Sequence, residues 1–143
     1  MKVRIKRIDK SLPLPEYKTA GAVAFDLASR VGMTIPPQSI AQVPLNVAIE
    51  IPSGFMIMLA ARSSLHKQGL RMINSVGIMD QDYRGNNDEY HALLQNFTDK
   101  SVVIEKGARL VQGILKQHEK AEWHEVDDLE NKSRGGFGTT GVN

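Results

Sequence analysis

The stretch VPLNVAIEI, residues 43–51, has the most regular alternation of apolar and other side chains in this chain. Its aliphatic residues fall at every second position: Val43, Leu45, Val47, Ile49 and Ile51. A period of two is typical of a β-strand, because successive side chains of a strand point to opposite faces of the sheet. The stretch therefore predicts a strand with one buried face.

Short strand-like segments recur on both sides of this stretch, between prolines and glycines. The predicted strands are 3–8, 23–28, 55–61, 70–73, 76–79, 89–97, 102–104, 110–117 and 122–126. The one plausible helical turn is 63–68, with a serine available as N-cap and Gly69 at its end. Many short strands with almost no helix predict an all-β fold, a jelly-roll-like β-sandwich or barrel with one short helix.

Length and composition indicate one soluble domain. A chain of 143 residues can bury a sizeable core, and 41% hydrophobic with 24% charged residues is typical of globular proteins. The net charge of +2 is too small to indicate nucleic-acid binding. The cations near the N-terminus alternate partly with Val3 and Ile5, which favours one polar face of a strand over a basic nucleic-acid arm.

The chain contains no cysteine, which excludes disulfides and thiolate metal sites. Its N-terminus lacks the apolar core of a signal peptide, and the longest apolar stretch, 55–61, is too short to span a bilayer. We therefore expect a cytoplasmic protein with no membrane partner and no nucleic-acid partner.

The composition changes at Glu130. The last fourteen residues, ENKSRGGFGTTGVN, contain four glycines and only two apolar side chains, Phe137 and Val142. Such a segment cannot pack a strand of its own. The sequence thus predicts a β domain over residues 1–129 and a mobile, glycine-rich tail over residues 130–143.

The segment NSVGIMDQDYRG, residues 74–85, is dense in chemically useful side chains. It reads as a strand that enters a hairpin turn, with Asp80 where strand becomes turn and with Tyr83 and Arg84 close behind. A rigid element would hold the Asp80 carboxylate in place for chemistry. The alternative is a solvated, Asp-rich hairpin tip, which is a common structure.

Two further segments have the composition of anion sites. Arg62, Ser63 and Ser64 follow a predicted strand and open the helical turn, so hydroxyl, amide and guanidinium donors can converge there; an ordinary serine cap is the alternative. In the tail, Arg134 precedes GGFGTTG, which combines an aromatic ring with hydroxyls on flexible backbone. That tail can fold over a phosphate and a base, and the alternative is a plain linker.

Five segments together resemble the motifs of the trimeric dUTP diphosphatase (dUTPase) family, in the same order. They are AGAVAFDLA (20–28), ARSSLHKQG (61–69), NSVGIMDQDYRG (74–85), KGARLVQ (106–112) and RGGFGTTG (134–141). The likeness extends from Leu12 to Gly141. It implies a dUTPase-like, β-clip subunit and a homotrimer whose three active sites lie at subunit interfaces and are built from several chains.

The resemblance also implies the activity, which is hydrolysis of dUTP to dUMP and pyrophosphate by water attack on the α-phosphorus. Asp80 would hold the water and touch the 3′-hydroxyl, and Tyr83 would lie under the deoxyribose and exclude a 2′-hydroxyl. Mg²⁺ would be chelated by the triphosphate, with Asp26 reaching it at most through water and no protein side chain bound to it directly.

The same resemblance distributes the substrate contacts along the chain. Uracil would be read by Asn74 and by the backbone of Gly77, Ile78 and Met79. The phosphates would be held by Arg62, Ser63, Ser64 and Gln112. From the tail, Phe137 would cover the base, while Arg134, Gly138, Thr139 and Thr140 would complete the closed site over the terminal phosphates.

The chain departs from the family pattern at several points. Ala61 stands where proline is usual, and Ala24 where glycine is common. Lys132 occupies the usual position of the tail arginine, so Lys132 and Arg134 both remain candidates for the γ-phosphate contact. The hairpin return is about three residues longer than usual, and its segment 86–89 is interpreted as a solvated acidic turn, with a magnesium or partner contact as the alternative.

Two other functions are alternatives to this one. The dCTP deaminase family shares the fold but carries a glutamate where this chain has Asn96. A nucleotide-sensing or regulatory binding protein is the third hypothesis. The four histidines show no metal-ligand spacing. Trp123, Met56 and Met58 are predicted to be core or interface residues.

Overall fold

Antiparallel strands dominate the computed structural model, which describes residues 1–136. In chain order they are β1 (Arg4–Arg7), β2 (Phe25–Ala28), β3 (Met33–Ile35), β4 (Ile40–Pro44), β5 (Val47–Glu50), β6 (Phe55–Ala61), β7 (Leu70–Met72), β8 (Val76–Met79), β9 (His91–Asn96), β10 (Val102–Ile104) and β11 (Arg109–Gln117). A single 3₁₀ turn, Leu65–Gln68, is the helical element of this part of the chain. The predicted all-β class with one short helix is confirmed.

The strands form four small sheets. The largest has the order β2-β11-β6-β8, and a second has the order β4-β9-β7. Two pairs, β1-β5 and β10-β3, complete the set, and every pairing is antiparallel. No helix within residues 1–136 is long and apolar enough to cross a membrane. The largest sheet matters most for function, since it carries four of the five sequence motifs on or next to its strands.

Alternate residues of the strands build one hydrophobic core. Leu27 of β2, Leu59 of β6, Leu94 of β9 and Leu110 of β11 are each fully buried. The neighbours of Leu27, Leu59 and Leu94 along their strands are partly exposed, as the burial pattern of β9 shows most regularly, whereas Leu110 is followed by the equally buried Val111. The core therefore fixes which face of each strand is free to carry polar side chains.

The stretch 43–51 is not one strand as predicted. All five of its alternating aliphatic residues are buried, but β4 ends at Pro44 and β5 begins at Val47. Between them Asn46 adopts a left-handed conformation with φ of 68°. This kink lets the chain leave the sheet of β9 and join β1, so the buried alternation continues while the strand partner changes.

One other predicted strand is absent and one strand was missed. Residues 122–126 form no strand. Trp123, predicted to be a core or interface residue, is 90% exposed and lies outside the core of this chain. The missed strand is β3, which is only three residues long. At the 3₁₀ turn, Gly69 ends the element with φ of 74° as expected, but Ser64 makes no side-chain capping bond.

Candidate active site

A carboxylate between two guanidinium groups marks one end of the largest sheet. Asp26 on β2 lies next to Gln112 on the central strand β11. Its two oxygens are 2.9 Å from Nε of Arg62 and 3.0 Å from Nη1 of Arg109. The Asp26 side chain is only 12% exposed. Its charge-assisted hydrogen bonds to the two arginines therefore fix the orientation of the carboxylate. Residues 26, 62, 109 and 112 are called the Arg62 cluster below.

Backbone contacts lock the rest of the Arg62 cluster in place. Arg62 donates from Nη1 to the carbonyl of Arg109 at 3.2 Å, and Gln112 donates from Nε2 to the carbonyl of Ala61 at 3.1 Å. Ser63 and Ser64 follow directly, and Ser63 is exposed. The predicted phosphate-binding residues Arg62, Ser63, Ser64 and Gln112 are thus brought together at the end of β6. Arg109 belongs to the same cluster, although the sequence argument gave it no separate role.

Asp80 lies at the end of the edge strand β8, where the hairpin turn begins. The turn is closed by the Tyr83 amide, which donates to the Asp80 carbonyl at 3.2 Å, and by the Arg84 amide, which donates to the Asp82 carbonyl at 3.0 Å. The Asp80 side chain is exposed and lines a groove of about 670 Å³ together with Ile78 and His118. Asp80 and Tyr83 are therefore held in one turn on a paired strand.

The β8 strand keeps one edge of its backbone open. It pairs with β6 through Gly77↔Leu59 and Ile78↔Met58, and it is the outermost strand of its sheet within residues 1–136. Its other edge therefore presents unpaired N–H and C=O groups to the surroundings. Gly77 packs tightly, since a Cβ there would lie 3.3 Å from Cβ of Leu59. Asn74, just before the strand, is exposed.

Tyr83 is fixed by contacts to the hairpin return. Its hydroxyl donates to the Glu89 carbonyl at 3.0 Å, and its ring stacks on Tyr90 with centroids 6.2 Å apart and an angle of 20° between the planes. The Tyr83 side chain is still 40% exposed. Burial raises the pKa of the Tyr90 phenol above its ordinary value, and the Tyr90 hydroxyl has no hydrogen-bond partner among the residues described.

The interpretation of segment 86–89 as a solvated acidic turn is wrong for Glu89. This side chain is buried and accepts two hydrogen bonds from Arg30, at 2.8 Å and 3.0 Å. It also accepts from the backbone amide of Asn46 at 2.9 Å. The countercharge comes from a residue far away in sequence, so composition alone could not indicate the burial. Asp88 instead accepts from the Gly85 amide at 2.6 Å, within the turn.

Asp80 and the Arg62 cluster are far apart within one chain. Met79 pairs with Ile57 near the beginning of β6, whereas Arg62 follows the end of that strand. At about 3.3 Å per residue, Asp80 and Arg62 are separated by about 20 Å along β6. A single chain therefore does not bring the predicted catalytic carboxylate to the predicted phosphate ligands.

In the tail, Lys132 and Arg134 are exposed. The predicted tail residues Phe137, Gly138, Thr139 and Thr140 lie outside the described residues.

Two observations bear on metals and on the deaminase alternative. Among residues 1–136, no group of three or more His, Asp or Glu side chains is arranged to hold a metal ion.

Asn96, which stands where the deaminase family carries a glutamate, is completely buried. Its side-chain amide donates to the carbonyls of Ile35, Pro36 and Lys100, and its side-chain oxygen accepts from Thr98. Asn96 is thus a satisfied structural residue.

Comparisons with known proteins identify the family. A sequence model described as dUTPase matches residues 10–141. The deoxyuridine 5′-triphosphate nucleotidohydrolase of Dictyoglomus turgidum is 36% identical, and the alignment covers 99% of each chain. The dUTPase of Streptococcus mutans is 34% identical and superimposes with a TM-score of 0.76, covering 83% of this chain and 98% of that one.

A more distant structure shows the same fold. The dUTPase of Staphylococcus bacteriophage 80alpha, as a G164S mutant with dUpNHpp, has a TM-score of 0.86 at 23% identity, covering 99% of each chain. The structural similarity, the five ordered motifs and the family match agree with one another. This chain therefore belongs to the dUTPase family.

Proposed function

We propose that this chain is a dUTP diphosphatase that hydrolyses dUTP to dUMP and pyrophosphate by attack of water on the α-phosphorus. Family membership supports the reaction. The observation that carries it is the turn in which the Tyr83 amide bonds to the Asp80 carbonyl at 3.2 Å. That bond keeps a carboxylate and a sugar-sized aromatic surface at a fixed separation at the end of a paired strand.

Asp80 is the residue that orients the attacking water. Cleavage of a phosphoanhydride needs a water placed in line with the leaving group, and a carboxylate on a rigid strand end can hold that water by accepting its hydrogen bonds. Asp80 is exposed at the groove, so it can reach both a water and the 3′-hydroxyl of a bound nucleotide.

Charge neutralisation on the phosphates is the task of Arg62, Ser63, Ser64 and Gln112. Arg62 keeps a fixed direction because Asp26 and the Arg109 carbonyl hold its guanidinium. Fixed donors stabilise charge that develops on phosphate oxygens without reorganising during the reaction. Arg134 or Lys132, with Thr139 and Thr140, would add donors from the tail.

Mg²⁺ fits this site as an ion carried by the triphosphate. Both oxygens of Asp26 are engaged by arginines, so Asp26 would reach the ion at most through water. When bound, Mg²⁺ neutralises negative charge on the phosphate oxygens.

Selection of base and sugar follows from the hairpin. The open edge of β8 and Asn74 offer fixed donors and acceptors to uracil, and cytosine would leave them unpaired. A soft apolar pocket would reject the methyl of thymine by only about 1–3 kcal/mol, so a stiff backbone is the better barrier. Tyr83 would lie under the deoxyribose, and Phe137 would cover the base.

The active site would be shared between subunits of a homotrimer. Since Asp80 and Arg62 are about 20 Å apart along β6 in one chain, the hairpin of one subunit needs the Arg62 cluster of another. The tail, residues 130–143, would close over the assembled site, and residues 1–129 would form the β domain. The chain contains no cysteine, which supports a cytoplasmic, reducing environment.

Incubation of the purified chain with Mg²⁺ and dUTP, dCTP, dTTP or UTP tests the proposal. We expect release of pyrophosphate from dUTP far faster than from the other three nucleotides, and no release of ammonia. Ammonia from dCTP would indicate a deaminase instead. Binding of dUTP without pyrophosphate release would indicate a nucleotide-sensing protein. Light scattering tests the shared site, because a stable and active monomer would contradict it.

A further inference from the structure

The hairpin return is joined to the body of the protein through one buried carboxylate. Glu89 accepts two parallel hydrogen bonds from Arg30, which lies between β2 and β3. It accepts a third from the Asn46 amide, in the kink between β4 and β5. A bidentate arginine pair with an additional donor fixes both the position and the orientation of a carboxylate. Glu89 is therefore a rigid point on an otherwise exposed return.

Further bonds hold the same return. Lys6 of β1 donates from Nζ to the Asn86 carbonyl at 2.8 Å. The Tyr90 amide donates to the Val47 carbonyl, and the Tyr90 carbonyl accepts from the Leu45 amide, each at 2.8 Å. The return is thus bonded to β1, to the segment after β2 and to the kink between β4 and β5, although Asn86 and Asn87 are exposed.

This anchored return is what holds Tyr83. The Glu89 carbonyl accepts from the Tyr83 hydroxyl, and the adjacent Tyr90 ring covers one face of the Tyr83 ring. The Tyr83 amide is bonded to Asp80. Tyr83 is therefore held at its hydroxyl, at one face of its ring and at its backbone amide. The other face of the ring is left for a ligand.

We infer that Glu89, held by Arg30, and Tyr90 are positioning residues for Tyr83, and that they set the selectivity for deoxyribose over ribose. The inference rests on the proposed function, in which Tyr83 supports the sugar. Exclusion of the 2′-hydroxyl of ribose requires a rigid surface, since a Tyr83 ring free to move by a fraction of an ångström would make room for it. Glu89 and Tyr90 remove that freedom without touching the substrate.

The test compares Glu89→Gln, Tyr83→Phe and the double variant with wild type. Glu89→Gln removes the charge that holds Arg30, and Tyr83→Phe removes only the hydroxyl that bonds to the Glu89 carbonyl. The measurements are kcat and KM for dUTP and UTP, and calorimetric binding of dUpNHpp and its ribose counterpart. We expect each single change to lower the dUTP-to-UTP ratio of kcat/KM by about tenfold, mostly through KM. We also expect the double variant to lose no more than the larger single effect.

Glu50→Gln is the matched control. Glu50 forms an ion pair with Arg4 at 2.9 Å on the neighbouring strand pair, and both side chains are exposed. This variant should keep the wild-type ratio within about twofold, because surface ion pairs contribute little. A merely structural role of Glu89 would lower the melting temperature of its variant while leaving the ratio unchanged.

The outcomes separate this inference from the proposed function. Wild type that neither hydrolyses dUTP nor binds dUpNHpp overturns the proposed function, and the inference with it. Active wild type with unchanged sugar selectivity in the folded Glu89→Gln and Tyr83→Phe variants overturns the inference alone. If Glu89→Gln does not fold, the exposed Tyr83→Phe variant decides, and an unchanged ratio in it has the same meaning.

Discussion

Asp26 and Arg62 form an ion pair of 2.9 Å across a strand that lies between them. Asp26 is on β2 and Arg62 follows β6, and these strands are the two neighbours of the central strand β11. The pair therefore ties three strands together at the end of the sheet where the phosphates are proposed to bind. It fixes the direction of the Arg62 guanidinium while keeping its charge partly balanced.

Replacing Asp26 with asparagine should loosen this arrangement. Both Arg62 and Arg109 lose their charged partner, so we expect the free energy of unfolding to fall by about 1–3 kcal/mol. KM for dUTP should rise more than kcat falls, because Arg62 would lose its fixed direction. Urea denaturation and steady-state kinetics measure the two effects. Unchanged KM in a folded variant would show that Asp26 does not align Arg62.

Asp80→Asn should separate binding from hydrolysis. The amide keeps the size of the carboxylate but holds the attacking water poorly, so we expect pyrophosphate release to fall by about 10²–10⁴-fold. Affinity for dUpNHpp, measured by calorimetry, should change little. Asp82→Asn, two residues further along the exposed turn, is the control and should keep most activity. Near-normal turnover in Asp80→Asn would refute the assigned role.

The fold class was predictable because period two is a property of each strand by itself. Predicted 55–61 coincides with β6, and 102–104 with β10. Strand partners were not predictable, since they depend on backbone conformation at single positions. Asn46 illustrates this limit: its left-handed conformation divides the most regular stretch of the chain between two sheets, although the alternation of side chains is uninterrupted.

The candidate site was predictable where its residues are close in sequence. Arg62 and Ser63 adjoin each other, and Asp80 and Tyr83 share a turn. Contacts between distant residues left no sequence signal. Glu89 looked like part of a solvated turn because its partner, Arg30, is 59 residues away. The distance between Asp80 and Arg62 likewise appears only once the register of β8 against β6 is known.

Removal of residues 131–143 should abolish most activity without unfolding the protein. The residues of this segment that the structure describes, 131–136, lie outside every strand, and none of them is buried. We expect an unchanged melting temperature and an unchanged oligomeric state by light scattering, with kcat/KM for dUTP lowered by at least about tenfold because the tail would no longer close over the substrate. A folded, fully active truncation would show that the tail has no part in catalysis.

Tyr90→Phe should stabilise the protein. The Tyr90 hydroxyl is buried without a partner in residues 1–136, so its removal costs no hydrogen bond within that part of the chain and ends a desolvation penalty. We expect the free energy of unfolding to rise by about 1 kcal/mol, measured by urea denaturation. The aromatic stack on Tyr83 would remain, so sugar selectivity should be unchanged. Tyr17→Phe, at a ring that is 54% exposed, is the control and should have little effect. A loss of stability in Tyr90→Phe would show that the hydroxyl has a hydrogen-bond partner outside residues 1–136.

Asp9 should make stability depend on pH in the acid range. Its oxygens are 2.7 Å from Nζ of Lys106 and 2.8 Å from the Ser11 amide, and these contacts, Lys106 first, hold the pKa of Asp9 well below its ordinary value. A carboxyl with a lowered pKa in the folded state stabilises the protein above its unfolded pKa of about 3.9, and that stabilisation is lost as the pH falls toward the folded pKa. Asp9→Asn should therefore melt below wild type at pH 7, and the difference should shrink below about pH 4. Melting temperatures of both proteins, measured from pH 7 down to pH 2.5, check the effect. Asp127→Asn, at an exposed residue, is the control. A difference that stays constant down to pH 2.5 would show that the charge of Asp9 does not contribute to stability.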